Sequence, residues 1–162
     1  MGFCVGDKVF HCTFRLGEVT QIEDKVINGH LTSCYVIQLE DMTIWVPLDD
    51  TRQSSLRGPT PPDEFIKTLP ILSSPNEILL EDRVLRKKQL TDQLKDGHLE
   101  SICRVLRDMT YYSRNSKLND QEKSILERAV KSLLNEWTFT LGTSQIQAHQ
   151  AMESMLGSLS PS

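Results

Sequence analysis

The stretch "VINGHLTSCYVIQLEDMTIWVPLDD", residues 26–50, decides the fold of the N-terminal part of the chain. Its apolar and polar side chains alternate, as they do in strands with one buried face. Asn28-Gly29 is a strong hairpin signal, because both central positions of a type I′ turn need a positive φ. Glu40-Asp41 forms a second turn signal, and Pro47 suits a strand edge or end. The stretch therefore predicts successive antiparallel strands joined by tight turns.

The same alternation continues upstream and gives four candidate strands, residues 8–14, 17–27, 31–39 and 42–48. Short strands with meander connections predict a small, half-open β-barrel. The composition then changes, because "RGPTPPDEF", residues 57–65, is rich in proline and other turn formers. We therefore expect a domain boundary near residues 58–61.

Beyond this boundary the apolar residues recur with a helical period. The predicted helices span residues 63–72, 76–97, 98–116, 119–142 and 144–156. Asn119 and Thr143 are suitable N-caps, and Gly142 is a suitable stop signal. The helices predicted over residues 98–116 and 119–142 each have an apolar stripe that predicts a core face: Leu99, Ile102, Cys103, Leu106 and Met109, then Leu126, Val130, Leu133 and Trp137.

These patterns together predict an α+β protein. A small β-barrel domain is expected over residues 1–58, a helical bundle over residues 59–157 and a flexible tail over residues 158–162. The chain has 162 residues, 38% hydrophobic and 25% charged, which is typical of a folded globular protein. It contains no apolar run of about 18 residues and no signal-peptide pattern, so we expect a cytoplasmic protein, and a monomer.

The sequence gives little support to catalysis or metal binding. Cys4, Cys12, Cys34 and Cys103 form no C-x-x-C pair, so we expect buried thiols in a reducing compartment rather than a metal site. The G-x-S-x-G, P-loop, H-E-x-x-H and G-x-G-x-x-G motifs are all missing. We expect a protein that is not an enzyme and needs no cofactor.

Charge is distributed unevenly along the chain. Residues 83–117 contain nine Lys or Arg against four Asp or Glu, whereas the rest contains nine against eighteen. A basic segment on an acidic protein indicates an anion-binding face, and nucleic acid is the commonest large anion. An ordinary solvated helix surface would give the same composition. The candidate DNA-binding residues lie on two helical faces: Arg83, Arg86 and Lys87, then Arg104, Arg107 and Arg114.

Trp45 is the aromatic residue with the most ambiguous position. The alternation places Ile44 and Val46 on one face of the strand, and Thr43, Trp45 and Pro47 on the other. If Ile44 and Val46 face the interior, Trp45 is exposed on an edge strand and can anchor a partner. Alternatively, Trp45 packs under the second domain.

The N-terminal residues resemble those of a known family. The matching positions are Gly6-Asp7-Lys8-Val9, Gly17, Val19, Ile22-Glu23, Gly29, Tyr35-Val36, Met42-Thr43-Ile44, Val46-Pro47 and Leu56-Arg57. This region is similar to the first module of the CarD and CdnL family of bacterial transcription regulators, which transcription-repair coupling factor shares. Residues 94–142, "LKDGHLESICRVLRDMTYYSRNSKLNDQEKSILERAVKSLLNEWTFTLG", resemble the family's helical half.

The resemblance implies a Tudor-like domain that extends a sheet edge onto the β subunit of bacterial RNA polymerase. It also implies a helical domain that contacts promoter DNA, without reading sequence, near the upstream edge of the melted bubble and so stabilises the open complex. The residues expected to bind the polymerase are Lys25, Val36, Thr43, Trp45 and Pro47.

Several residues depart from the family pattern. A Trp that acts as a minor-groove wedge in relatives is replaced here by Arg83, and Arg86 matches the Arg that follows it. Either Arg83 inserts into the minor groove, attracted by its negative potential, or the protein works differently, as a polymerase-binding adaptor without a wedge. Lys25 occupies a position where some relatives have Arg, and Trp45 occupies a position that is Arg or Met in others. Arg15 replaces the first Gly of the family's G-x-G turn, of which only Gly17 remains.

Overall fold

The alternating N-terminal segments form a five-stranded antiparallel sheet in the computed structural model, which describes residues 2–11, 15–48 and 56–157. The strands are β1 (Lys8–His11), β2 (Arg15–Ile27), β3 (His30–Gln38), β4 (Thr43–Pro47) and β5 (Leu56–Arg57). Their order in the sheet is β4-β3-β2-β1-β5. The first four strands match the prediction, whereas β5 has two residues and is too short to show an alternation.

The hairpin between β2 and β3 turns at the predicted dipeptide. Asn28 has a φ of 52° and Gly29 a φ of 80°, and Ile27 pairs with His30 on either side of them. Both central residues therefore have the positive φ of a type I′ turn. A register shift between Val19 and Gln21 interrupts the β2–β3 ladder, as a β-bulge does.

One face of the sheet carries the core of the N-terminal unit, which comprises residues 1–59. Its buried residues are Val9, Val19, Tyr35, Ile37, Leu39, Val46 and Leu56. Gly17 lets β2 approach this core closely, because a Cβ there would lie 2.6 Å from Ile37 Cγ2. No pairing joins β4 to β5 among the described residues, so the sheet is open, as predicted for a half-open barrel.

The second unit, residues 60–162, is helical. Its helices are α1 (Pro62–Thr68), α2 (Arg83–Leu94), α3 (Leu99–Asn115), α4 (Asp120–Leu141) and α5 (Gln145–Gly157), with a 3₁₀ turn at Leu69–Ser73 after α1. Every member of the predicted α3 stripe is buried, as are Leu133 and Trp137 of α4. The Trp137 ring packs edge-to-face on Phe65 with centroids 5.8 Å apart. The α+β prediction is confirmed.

The helix predicted over residues 76–97 begins seven residues later, at Arg83. Asp82 stops the helix from extending further back, because its carboxylate accepts hydrogen bonds from the backbone N–H groups of Val84 and Leu85 at 2.9 and 3.0 Å. Such an N-cap satisfies the free amides of the first turn. Residues 74–82 therefore form an irregular segment, which we call the anchored segment.

The caps of α4 agree with the prediction, but the cap of α5 does not. Asn119 and Glu122 form a reciprocal capping box, and Gly142 ends α4 in the left-handed region at a φ of 67°. At α5, the Ser144 hydroxyl accepts from Gln147 N at 3.1 Å. Thr143, the predicted cap, has a buried hydroxyl without a hydrogen-bond partner among the described residues.

Two of the cysteines are buried as predicted, Cys34 and Cys103. Burial raises the pKa of the Cys34 thiol and raises that of Cys103 to about 12, so both remain protonated at neutral pH. Cys4 is exposed, which contradicts the expectation for that residue. Cys12, the rest of the turn at residues 12–14 and the predicted tail at residues 158–162 lie outside the described residues, whereas Arg15 and Gly17 belong to β2.

Within residues 2–11, 15–48 and 56–157, no group of three or more His, Cys, Asp or Glu residues could hold a metal ion. The helices found there are also too short or too polar to cross a membrane.

A free strand edge and a basic cleft as candidate binding sites

The backbone of β4 bonds to β3 at alternate residues. Leu39 N donates to Met42 O at 2.8 Å near the start of β4, and Leu48 N donates to Ser33 O at 2.9 Å just beyond its end. Bonded and non-bonded pairs alternate in an antiparallel ladder. The even-numbered residues of β4 therefore bond to β3.

The odd-numbered residues of β4, Thr43, Trp45 and Pro47, direct their backbone groups away from β3. Among the described residues no strand pairs with β4 on that side. The edge thus offers the N–H and C=O groups of Thr43 and Trp45 and the C=O of Pro47, which has no N–H. Such an unpaired row is a template for a strand from a partner.

Trp45 is 38% exposed on this edge strand, as one of the two sequence interpretations predicted. The predicted alternation is confirmed, because Val46 is buried and Ile44 packs against the sheet core. The Trp45 Nε1–H donates to Glu23 Oε1 at 2.5 Å. The Lys25 Nζ lies 3.7 Å from the centroid of the indole ring.

The structure thus brings together two of the predicted polymerase-binding residues, Lys25 and Trp45, and adds a third residue, Glu23. Sequence reasoning missed Glu23 as a site residue, since 22 residues separate it from Trp45. The strand alternation gives a partial signal, because Glu23 and Lys25 point to the same face of β2.

The other three predicted polymerase-binding residues differ in exposure. Thr43 and Pro47 are half-buried, and the Thr43 hydroxyl donates to Gln38 Oε1 at 2.7 Å. Val36 is only 4% exposed and pairs with Trp45 in the β3–β4 register. This placement corrects the expectation for Val36, whose side chain is not available at the surface.

A basic cleft lies where α2 and α4 begin. It has a volume of about 550 Å³ and is lined by Arg83, Val84 and Lys87 of α2 and by Asn119, Asp120 and Gln121 at the start of α4. Arg83 and Lys87 are both exposed. Of the six predicted DNA-binding residues, these two share one cavity wall.

Arg86 lies on the buried side of α2, which corrects the expectation that it contacts DNA. Its Nε donates to the Glu122 carboxylate, and its Nη1 donates to Leu80 O at 3.1 Å and Glu81 O at 2.9 Å. Its guanidinium carbon lies 4.8 Å from the ring centroid of Tyr112. The residue is 6% exposed, and its guanidinium makes these contacts inside the protein.

The Arg86–Glu122 pair is ionised. The hydrogen bond to Glu122 raises the pKa of Arg86. Burial by itself would raise the pKa of Glu122, but the hydrogen bonds from Arg86 and from the Asn119 backbone outweigh burial and hold that pKa below its ordinary value. A buried charge pair of this kind is stable only while both partners are present.

Arg107 is also buried and corrects a second expectation of DNA contact. Its Nε donates to Asp108 Oδ1 at 2.8 Å and its Nη1 to Ser74 Oγ at 2.9 Å. The same Asp108 oxygen accepts from Glu77 N at 2.9 Å. Arg107 and Asp108 therefore hold the beginning of the anchored segment, while Arg86 holds its end.

The remaining two predicted DNA-binding residues lie on α3. Arg104 is exposed and pairs with Glu100 at 3.5 Å. Arg114 is half-buried, and its Nη2 donates to Leu156 O at 2.9 Å, which joins α3 to α5. Neither residue lines the cleft that contains Arg83 and Lys87.

Comparison with known proteins identifies the family. Residues 67–153, more than half of the chain, match the family model described as "CarD, C-terminal domain". A protein of Bacillus subtilis (strain 168) named "Putative transcription factor YdeB" is 26% identical over 151 residues, which cover 90% of this chain and 96% of that protein. The matched region contains both buried Arg–carboxylate pairs and the whole basic cleft. The chain therefore belongs to the CarD family of transcription regulators.

Proposed function

We propose that this CarD-family regulator binds the β subunit of bacterial RNA polymerase and stabilises the open promoter complex without catalysing a reaction. In this proposal the N-terminal unit is the polymerase-interacting domain, and the helical unit contacts promoter DNA. The free edge of β4 is the observation that carries the proposal. It combines backbone donors and acceptors that no strand among the described residues pairs, and an exposed aromatic side chain.

Strand addition suits this edge for a physical reason. The backbone groups of Thr43 and Trp45 give affinity to any partner strand that can lie beside β4, whereas the side chains along the edge give specificity. Trp is also among the residues most often found at the energetic centre of protein interfaces. The β subunit would therefore contribute one strand to the sheet and a pocket or apolar surface for the indole.

The edge can be blocked at a single position. Thr43→Pro removes the N–H that points to the free edge, while the N–H groups that bond to β3 remain. We expect the polymerase affinity to fall by about tenfold, as for the loss of a backbone hydrogen bond worth about 1.4 kcal/mol. The measurement is biolayer interferometry with immobilised RNA polymerase.

Thr43→Val is the matched control for this substitution. It keeps the backbone N–H but removes the hydroxyl that bonds to Gln38, so its affinity should equal that of the native protein. Thermal unfolding must show that both variants are folded. A folded Thr43→Pro variant with native affinity would contradict strand addition at β4.

For the DNA contact, we propose the exposed cations of the basic cleft. Arg83 and Lys87 are exposed side chains that can neutralise phosphates without reading bases. Arg83 can also enter a narrowed minor groove, where the negative potential is enhanced. Binding the open complex more tightly than the closed complex is sufficient to shift the equilibrium between them.

Charge reversal of the cleft tests this contact. The double substitution Arg83→Glu and Lys87→Glu should shorten the lifetime of the open complex on a fork-junction promoter by about tenfold at low salt, because two phosphate contacts are lost. The difference from the native protein should shrink as salt increases, since screening weakens both attraction and repulsion. Polymerase binding without DNA should not change.

The control reverses two cations outside the cleft, Lys67 of α1 and Arg128 of α4, and so matches the change in net charge. Its open-complex lifetime should equal that of the native protein. If both double variants shorten the lifetime equally, the effect comes from net charge and the cleft has no specific role.

A second candidate function is a polymerase-binding adaptor that makes no DNA contact. The specific observation in its favour is that Arg86, Arg107 and Arg114 are engaged inside the protein. This loss of surface cations reduces the basic face that the sequence predicted. Native polymerase affinity together with an open-complex lifetime that the protein does not alter would establish the adaptor.

A further inference from the structure

The Trp45 side chain reaches across the sheet from its edge strand. Trp45 lies on β4, whereas its hydrogen-bond partner Glu23 lies on β2, and β3 separates the two strands. The β3 residues between them on this face, Cys34 and Val36, are 0% and 4% exposed. The indole therefore lies back over β3 and leaves the backbone of the β4 edge clear.

Two different contacts define this orientation. The bond from Nε1 to Glu23 at 2.5 Å fixes the direction of the ring edge, since a hydrogen bond to a carboxylate is both strong and directional. The Lys25 ammonium at 3.7 Å from the ring centroid fixes the position of the ring face through a cation–π contact. Together they restrict both torsions of a side chain that is 38% exposed.

We propose that Glu23 and Lys25 are positioning residues that hold the Trp45 indole in its polymerase-binding orientation; this inference rests on the proposed function. An exposed indole without these contacts would sample several rotamers, and a partner would have to immobilise it. Holding the side chain in advance removes that cost from the binding step. Glu23 thereby contributes to affinity through Trp45, without its own contact to the polymerase.

The effect of Glu23 on the indole can be measured in the full chain by NMR. The chain has two tryptophans, so a ¹⁵N-labelled sample gives two indole N–H signals, and Trp45→Phe assigns them. Glu23→Ala should shift the Trp45 signal and lower its heteronuclear NOE, while the Trp137 signal stays in place because that ring is buried in the helical core. Glu23→Gln, which keeps an acceptor oxygen, should preserve most of the native NOE.

The same variants should rank in the same order in binding to RNA polymerase core enzyme. Glu23→Ala should weaken binding by about three- to tenfold, as expected when one side chain must be immobilised on association. Glu23→Gln should stay within about twofold of the native protein. Glu18→Ala is the matched control, since Glu18 lies on the same strand, its side chain is 42% exposed and it pairs with Lys8 at 2.9 Å.

A double-mutant cycle separates positioning from direct contact. In a Trp45→Ala background, Glu23→Ala should cause no further loss of affinity, because Glu23 then has no indole to hold. A loss of the same size in both backgrounds would overturn the inference and assign Glu23 a direct contact. The inference would also be overturned if Glu23→Ala bound the polymerase with native affinity although its lowered NOE showed that the Trp45 indole had become mobile.

Failure of the proposed function gives a different result. If Trp45→Ala itself binds the polymerase with native affinity, Trp45 makes no contact with the polymerase. Glu23 and Lys25 then have no binding orientation to hold. Lys25→Met provides the independent second variant, because it removes the cation but keeps most of the aliphatic stem. It should lower the Trp45 NOE, and an unchanged NOE would remove Lys25 from the positioning pair.

Discussion

Glu122→Ala is expected to lower the free energy of unfolding by about 3–5 kcal/mol, because it leaves the buried Arg86 guanidinium without its carboxylate. The substitution also removes half of the capping box at the start of α4. Urea unfolding followed by circular dichroism measures the loss. Glu127→Ala, an exposed position on the same helix, should change stability by no more than about 0.5 kcal/mol.

Replacing both Arg86 and Glu122 distinguishes the cost of one unpaired buried charge from the cost of losing the whole ion pair. Arg86→Met combined with Glu122→Leu removes both charges and fills part of the space, so it should be much more stable than either single variant. A double variant as unstable as Glu122→Ala would show that the cost does not come from the unpaired Arg86 charge. Arg86→Met alone measures the separate cost of removing the donor to the carbonyl groups of Leu80 and Glu81.

The contribution of Glu122 should also depend on pH. Its pKa is lowered in the folded protein, whereas an unfolded Glu has a pKa of about 4.3. The stabilisation is therefore fully present above about pH 4.3 and is lost as the pH falls through the folded pKa. The gap in unfolding free energy between native protein and Glu122→Gln should narrow with acidification below pH 4.3, and a constant gap would contradict the assignment.

Trp45→Ala is expected to weaken polymerase binding by about 2 kcal/mol, or roughly 30-fold, as for other aromatic residues at interface centres. The substitution removes the largest exposed side chain of the β4 edge but leaves its backbone groups in place. Val5→Ala is a suitable control, since Val5 is an exposed apolar residue outside β4. Native affinity in a folded Trp45→Ala variant would eliminate the side chain as an anchor.

The features that the sequence predicted well are those with local causes. The turn at Asn28-Gly29 needs two positive φ angles, and the cap at Asn119 needs one side chain and the next turn of helix. The placement of Ile44 and Val46 on one face of β4, with Trp45 on the other, followed from the strict alternation within its five residues. Each of these signals lies within a few positions of the structure it determines.

The basic surface was predicted less well because its outcome depends on distant partners. Arg83 and Arg86 are three residues apart on α2, yet one lines a cleft and the other is buried. The difference comes from Glu122, which is 36 residues further along the chain. A helical charge pattern does not say whether a cation faces water or a buried carboxylate.

The start of α2 shows the same difficulty at a smaller scale. Apolar residues before Asp82 continue the helical spacing, but the anchored segment is held by hydrogen bonds that Arg107 and Arg86 donate and that Asp108 accepts. The bonds at Glu77 N and Glu81 O satisfy backbone groups that a helix would otherwise satisfy. Propensity alone could not rank the two alternatives.

Pro47 has a consequence for the behaviour of the protein in a crowded cell. An exposed strand edge can recruit other copies of the same chain and seed aggregates. On β4 the row of outward donors is short, because Thr43 and Trp45 each offer an N–H and Pro47 offers none. A long ladder between identical chains would therefore receive hydrogen bonds from only two N–H donors of β4. A short strand of a specific partner could still accept from both of these donors.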